Sequence, residues 1–510
     1  MSEWRTYSRS VRLIALFALV FCLLAVSAQI PESIRQWWTY TQALSNDSME
    51  GRDTGSAGYR RAAAYVVSKF RAAGLEPAGS SGYYQSVPLH EVRLVKEEST
   101  VSLVRNGTTE KLQWLRDITV AAAVDTPRNV AGKLVFIGSD QDPGDLTGKI
   151  AVRLRAPVTA SRGQNPQFPG AVAIVNIDST AGPEPPRWPV AYSVTMRLRD
   201  DPLPQAGHQI VFRFNPASAA KLFADSGHSY EELKALAEAG KPLPTFELPA
   251  KFEATMRFET RELSSDNIIA TLPGSDPELS KQFIAVSAHL DGYGFGEPWN
   301  GDRIYNGTFD DAAYVATLMD LADKLHNSGT HLRRSVLFCV FTGEEKGLLG
   351  SKYFTTHLTV PRDQLVADIN LDQLRPIFPL KILTALAIND SSLGETATQV
   401  AAQMGIRLQP DPEPERNLLR RSDHWNFMQI EVPAIGFIFG YEKGSPEEAV
   451  YRTWYAERYH SPADDLNQPW DPAAAAKFNE FFDGLVTRLA NDPNPPSWNP
   501  ASSFAHARKN

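Results

Sequence analysis

The sequence predicts an α/β protein: a mixed, largely parallel sheet with helices on both faces, interrupted by an inserted β-rich domain. Three observations carry that prediction. From residue 267 onward, short apolar runs typical of buried parallel strands alternate with segments of helical periodicity, the pattern of strand–helix–strand units. Between residues 99 and 254 the texture changes to brief β-like runs separated by proline-rich loops. The 510 residues also exceed what one core of ~100–200 residues needs, so more than one structural unit is expected.

Residues 1–28 read as a signal peptide, because Arg5, Arg9 and Arg12 precede an apolar stretch and Val26-Ser27-Ala28 offers a small-residue cleavage site. That stretch is shorter than the ~20 residues of a membrane helix, so no stable span is expected after cleavage and the protein is read as exported, periplasmic or extracellular. Residues 29–98 open the main domain, with a helix over 56–73 whose Ala64, Val67 and Phe70 share a face and which stops at Gly74. In the insert, 99–254, strands are expected at 133–137, 149–154 and 171–176. Over 255–490, strands are expected at 283–288, 335–341, 366–371, 382–388 and 434–439, with a helix over 315–325. The last helix opens at Asp471-Pro472, an N-cap followed by proline in the first turn, and runs towards Ala490. Residues 491–510 form a tail, draped or mobile.

Composition narrows the function. Hydrophobic residues at 43% and charged residues at 22% exclude collagenous, low-complexity and multi-span membrane classes. Lys+Arg 51 against Asp+Glu 59 gives a net charge of −8 with no long basic run, so no nucleic-acid partner is expected. Once the leader with Cys22 is removed, only Cys339 remains, which excludes internal disulfides and a thiolate zinc site. Any metal ligands must be histidines and carboxylates.

Five ionisable clusters follow apolar runs or occupy loops, where parallel sheets place their binding groups. Ala288-His289-Leu290-Asp291 ends one strand; taken singly, such a histidine is an ordinary hydrogen-bonded residue, but the His-x-Asp spacing lets Asp291 accept the second N–H of a metal-bound imidazole. Phe309-Asp310-Asp311 precedes a helix, whose N-terminus itself favours carboxylates. Asp310 is also the candidate to bridge two cations ~3.5–4 Å apart, whose repulsion an anionic group must offset. Gly343-Glu344-Glu345 follows the strand containing Cys339; adjacent side chains there point apart, so Glu345 is read as a ligand and Glu344 as general base, although spacing alone leaves the order within the pair open. Asn370-Leu371-Asp372 ends a further strand, and Tyr459-His460-Ser461-Pro462 lies in a loop. Together these supply two His and three Asp/Glu ligands, a set suited to two zinc ions, with Co2+ as a substitute, and to amide hydrolysis by a metal-activated water.

With Ser422-Asp423-His424, these motifs resemble, in family order, the co-catalytic dizinc exopeptidases that include bacterial leucyl aminopeptidase, aminopeptidase Y and glutamate carboxypeptidase. The resemblance covers roughly 45–79 and 267–490. It implies that His289 and Asp372 hold one zinc, that Glu345 and His460 hold the other, and that Asp310 bridges them. It also places Glu344 as base, Asp291 behind His289 and Tyr459 as a candidate oxyanion stabiliser, and it makes the insert resemble a protease-associated domain. Tyr314 departs from the family, which has a small residue there, and puts the packing of that loop in question.

Peptides are therefore the expected substrates, with an aminopeptidase favoured because a carboxylate-rich mouth attracts a cationic amine. A carboxypeptidase would need an anchor such as Arg421, although Arg420-Arg421 is read first as a solvated pair. Glutaminyl cyclase, which uses one zinc, and a noncatalytic receptor-like protein are the other readings; neither accounts for a complete ligand set. Gly292, Gly294 and Gly296 are read as a flexible rim, and His90-Glu91 lacks the second histidine of a zincin helix.

Overall fold

A computed structural model describes residues 30–505 except 124–125, 139–143, 156–166, 181, 183, 185, 203–208 and 374. The leader expected over 1–28 lies outside the described residues, and among those described no helix is long and apolar enough to cross a membrane. The large sheet is mixed. Its centre is four parallel strands, in the order Ala434–Phe439, Leu365–Leu371, Phe283–His289 and Ser335–Phe341. Strand Ile382–Leu386 adds antiparallel at one side, while the long Phe258–Leu272 and then Tyr84–Leu94 add antiparallel at the other.

Alternation divides the two faces. Ile284, Val286 and Ala288 enter one core with the helices Arg35–Ser45, Ala57–Ala72, Ala313–Ser328 and Pro472–Asn491, whereas Ala285, Leu337 and Cys339 meet Phe354 and Phe427 on the opposite side. Helix Ala57–Ala72 is capped by Ser56, whose side chain accepts the Tyr59 N–H, and Asp471 caps the last helix in the same manner. Helix Ala313–Ser328 begins earlier and ends later than the expected 315–325, and the strand from Ile382 ends at Leu386, two residues short, because Ala387 turns to φ 62°. Tyr314 does not disturb its loop: it is fully buried, donates to the carbonyl of Phe437 at 3.4 Å and packs on Phe478. The tail is draped as far as residue 505, with Trp498 Nε1 donating to the Glu431 carbonyl and the Trp498 and Phe504 rings stacked.

Between the long arms Tyr84–Leu94 and Phe258–Leu272 lies a second, eight-stranded sheet spanning Thr100–Thr255, with its own core around Phe136, Val175, Phe212 and Phe252. One strand of this stretch, Val194–Leu198, leaves it and pairs antiparallel with Tyr84–Leu94 at the edge of the large sheet. The loop preceding that strand thereby runs alongside the carboxyl ends of the central strands.

Candidate metal centre

The central parallel strands end where the ionisable motifs begin. His289 closes its strand fully buried, and its Nε2 has no hydrogen-bond partner. Asp310 sits in the turn Thr308–Ala312, which is held open against the helix that follows. Gly307 allows this turn: it has φ 58°, and a Cβ there would lie 2.3 Å from the Asp310 carbonyl oxygen. Asp464 accepts the N–H groups of Phe309 and Asp310 at 3.0 and 3.1 Å, and Arg52 donates to the carbonyls of Leu290, Asn306 and Gly307 at 2.8, 2.6 and 2.9 Å. The Asp310–Asp311 peptide is cis.

That scaffold aims the two oxygens of Asp310 at different histidines. Oδ1 lies 3.3 Å from His289 Nε2, and Oδ2 lies 3.2 Å from His460 Nε2. On the first side, Asp372 Oδ1 is 3.7 Å and Glu344 Oε2 3.8 Å from His289 Nε2. On the second side, Glu345 Oε2 is 3.3 Å from His460 Nε2. The neighbours Glu344 and Glu345 therefore diverge, one towards each half. All five residues expected as ligands, His289, Asp310, Glu345, Asp372 and His460, come together.

Their surroundings favour cations. Buried polar atoms are normally paired, yet His289 Nε2, Asp310 Oδ2 and Asp372 Oδ1 are orphaned together at this spot. Burial, then the charges of Asp372 and Glu345, pushes the Glu344 carboxyl well above its usual range, and burial pushes Glu345 up to about 7. Burial alone would raise Asp310 too, but the two imidazoles outweigh it and hold that carboxyl low. An acidic, buried, imidazole-containing donor set of this kind fits zinc.

Asp291 has a different part from the expected one. The Nδ1–H of His289 donates at 3.1 Å to the backbone carbonyl of Asp291, while the carboxylate stands 3.8 Å from Nδ1. The carboxylate instead accepts the Glu344 N–H at 3.1 Å and the Thr54 hydroxyl at 3.0 Å, because the chain turns after Leu290 and carries the side chain past the imidazole. Arg421 is not a solvated arginine: it pairs with Glu184 at 2.7 Å and donates to the Tyr459 hydroxyl at 3.3 Å, while Arg420 lies over the Trp425 ring. Nor is the glycine-rich segment a loose rim. Gly294–Trp299 pairs with Asp302–Tyr305, and Gly294 packs against Asp53.

Further residues support the site without having been singled out from the sequence. Asp311 accepts the N–H groups of His289 and Gln373, both at 3.2 Å, so its oxygens are already engaged, although it stands within reach of His289 and Asp372 as a third donor. Ser422 donates to Asp372, and Tyr293 Oη contacts His460 Nδ1 at 3.1 Å. Neither Asp464 nor Arg52 carries a sequence signal beyond its charge.

Residues 267–485 match the model of peptidase family M28. Leupeptin-inactivating enzyme 1 of Streptomyces exfoliatus is 23% identical over 256 residues, which are 48% of this chain and 54% of that enzyme, so the chain spans about half the length of this relative. An aminopeptidase from Aneurinibacillus sp. strain AM-1 superposes with a TM-score of 0.58 at 19% identity, over 91% of this chain and 95% of its own. A zinc aminopeptidase from Bacillus subtilis does so with a TM-score of 0.57 at 17% identity, over 91% and 98%. These structures share the fold. The family resemblance read from the motifs is borne out over the matched residues, 267–485.

Proposed function

We propose that this chain is an exported, two-zinc exopeptidase of the aminopeptidase type, with Glu344 as its general base. The observation that carries the reading is the aim of Asp310, one oxygen on His289 and the other on His460 at nearly equal distances. His289 and Asp372 would hold one ion, Glu345 and His460 the other, with Asp310 shared between them. Zinc held there supplies Lewis-acid polarisation of a peptide carbonyl and a water acidic enough to ionise near neutrality. The protein's own groups do the rest. Glu344, fixed by its N–H on Asp291 and kept basic by burial among carboxylates, takes a proton from water and returns it to the leaving amine. Tyr459 Oη, which accepts from Gln373 and Arg421, has its own hydrogen left for an oxyanion. The free amine of the substrate is drawn to the acidic mouth.

Two details favour this over the alternatives. Arg421 is engaged by Glu184, which removes the anchor a carboxypeptidase would use. Donors for both halves of the centre are complete, which neither a one-zinc cyclase nor a receptor-like protein requires. The insert is read as a protease-associated domain, supported by its separate sheet and core.

The test is Glu344→Ala assayed on aminoacyl-amide and N-blocked reporters, with zinc quantified on the same samples. Turnover of the free-amine reporters should vanish while bound zinc stays near the wild-type amount. Retained turnover, or a preference for blocked substrates in the wild type, would reject the reading.

A further inference from the structure

The two halves of the centre are supported unequally. His289 and Asp372 end buried strands and are fixed by Asp311, the Asp291 carbonyl and Ser422, all within 255–490. His460 lies on no strand and has φ 52°; it follows the helix Pro446–Glu457, whose last carbonyls have no intrahelical partner. One of them, the Tyr455 carbonyl, is met from outside the domain, as is the Tyr459 carbonyl just beyond the helix, while Ser461 Oγ donates to that of Glu457. Arg187 donates from Nη2 to Tyr455 at 3.2 Å, and from Nε and Nη2 to the Tyr459 carbonyl at 3.1 and 2.8 Å, with its guanidinium stacked over Trp299. A cation at a helix C-terminus is also favoured by the helix dipole. Glu184 pairs with Arg416 and Arg421, and Arg421 reaches the Tyr459 hydroxyl.

The same loop grips the other ligand. Tyr192 Oη donates to Asp53 at 3.2 Å and accepts from Lys346, the residue after Glu345; Lys346 pairs with Asp53 at 3.0 Å and lies over the neighbouring rings of Tyr192 and Tyr293. Tyr293 in turn contacts His460 Nδ1.

We propose that Arg187 and Tyr192, carried by the insert, are positioning residues for the Glu345–His460 half of the centre, so that the insert sets the affinity for one of two ions. This rests on the two-zinc reading above. Groups that orient ligands are commonly worth 10–100-fold in metal affinity.

The experiment is titration of the metal-free full chain with Zn2+ by calorimetry, and with Co2+ by its visible absorption. The wild type should bind two ions. Arg187→Ala should weaken one step by about 10–100-fold and leave the other within about twofold, with kcat recovering at excess zinc and KM little changed. Arg187→Lys, which keeps the charge but loses the fork, should fall between. Tyr192→Phe removes only a hydroxyl, and should shift the same step even if Arg187→Ala fails to fold. Wild-type affinities for both ions in Arg187→Ala and Tyr192→Phe, or equal weakening of both steps, would overturn the proposal. A wild type that takes up fewer than two ions would bring down the underlying reading before any variant is compared.

Discussion

Tyr459 lies face to face with His460, the ring centroids 3.6 Å apart, and its hydroxyl receives hydrogens from both Gln373 and Arg421. Packing therefore fixes the ring, while the hydrogen-bond pattern leaves one proton to give. Tyr459→Phe preserves the stack and removes that donor. It should lower kcat by about 100-fold with KM changed by less than about threefold, as loss of one oxyanion donor does, read from steady-state kinetics on an aminoacyl-amide. Unchanged kcat would assign the ring to packing alone. At this scale the ligands were legible as a set, because several largely apolar runs each lead into an ionisable residue, as with His289 and Asp372. Arg52 and Asp464 were not, since each acts on the backbone of segments more than 150 residues away, which no local pattern records.

The element on which both halves depend is the turn Thr308–Ala312. Its geometry comes from Gly307, from the Asp464 carboxylate on its N–H groups and from Arg52 on the preceding carbonyls. Gly307→Ala brings a methyl against the Asp310 carbonyl at a positive φ, so the turn must move. The expected cost is about 1–3 kcal/mol in chemical unfolding of the metal-free protein, together with weaker binding of both ions, because Asp310 serves both. Loss of stability without any loss of metal affinity would show that the turn does not aim Asp310. The strands Ser335–Phe341 and Ala434–Phe439 coincide with the expected bounds because every residue in them is buried, giving uninterrupted apolar runs. The departures lie at ends that depend on neighbours: the helix from Ala313 starts as soon as the turn releases it, and the strand from Ile382 stops at Ala387. Strand Val194–Leu198 carried no signal for its partner, since its pairing with Tyr84–Leu94 spans about 100 residues and is fixed by tertiary contact.

Across the whole molecule, the fold collects more acid at the strand ends than its own cations offset, for Arg52 is spent on carbonyls and Lys346 on Asp53. This imbalance was legible in kind, as a run of carboxylate motifs, but its depth depends on burial that only the folded chain supplies. Burial pushes Asp423, Asp464 and Glu345 each up to about 7. A carboxyl with a higher pKa folded than unfolded takes up a proton on folding between the two values, so within that window stability falls as pH rises. The penalty is absent below about 4, the unfolded value, and complete above about 7. Chelated protein should therefore show a urea midpoint that declines from pH 5 to pH 8. With saturating zinc the decline should be smaller, since bound cations keep the carboxylates ionised at both pH values and add stability in proportion to the logarithm of free metal over Kd. The gap between the two midpoints should accordingly widen with pH. A gap that stays constant or narrows would mean that the acid cluster relaxes on metal loss, and that the field built into the strand ends is not what draws the ions in.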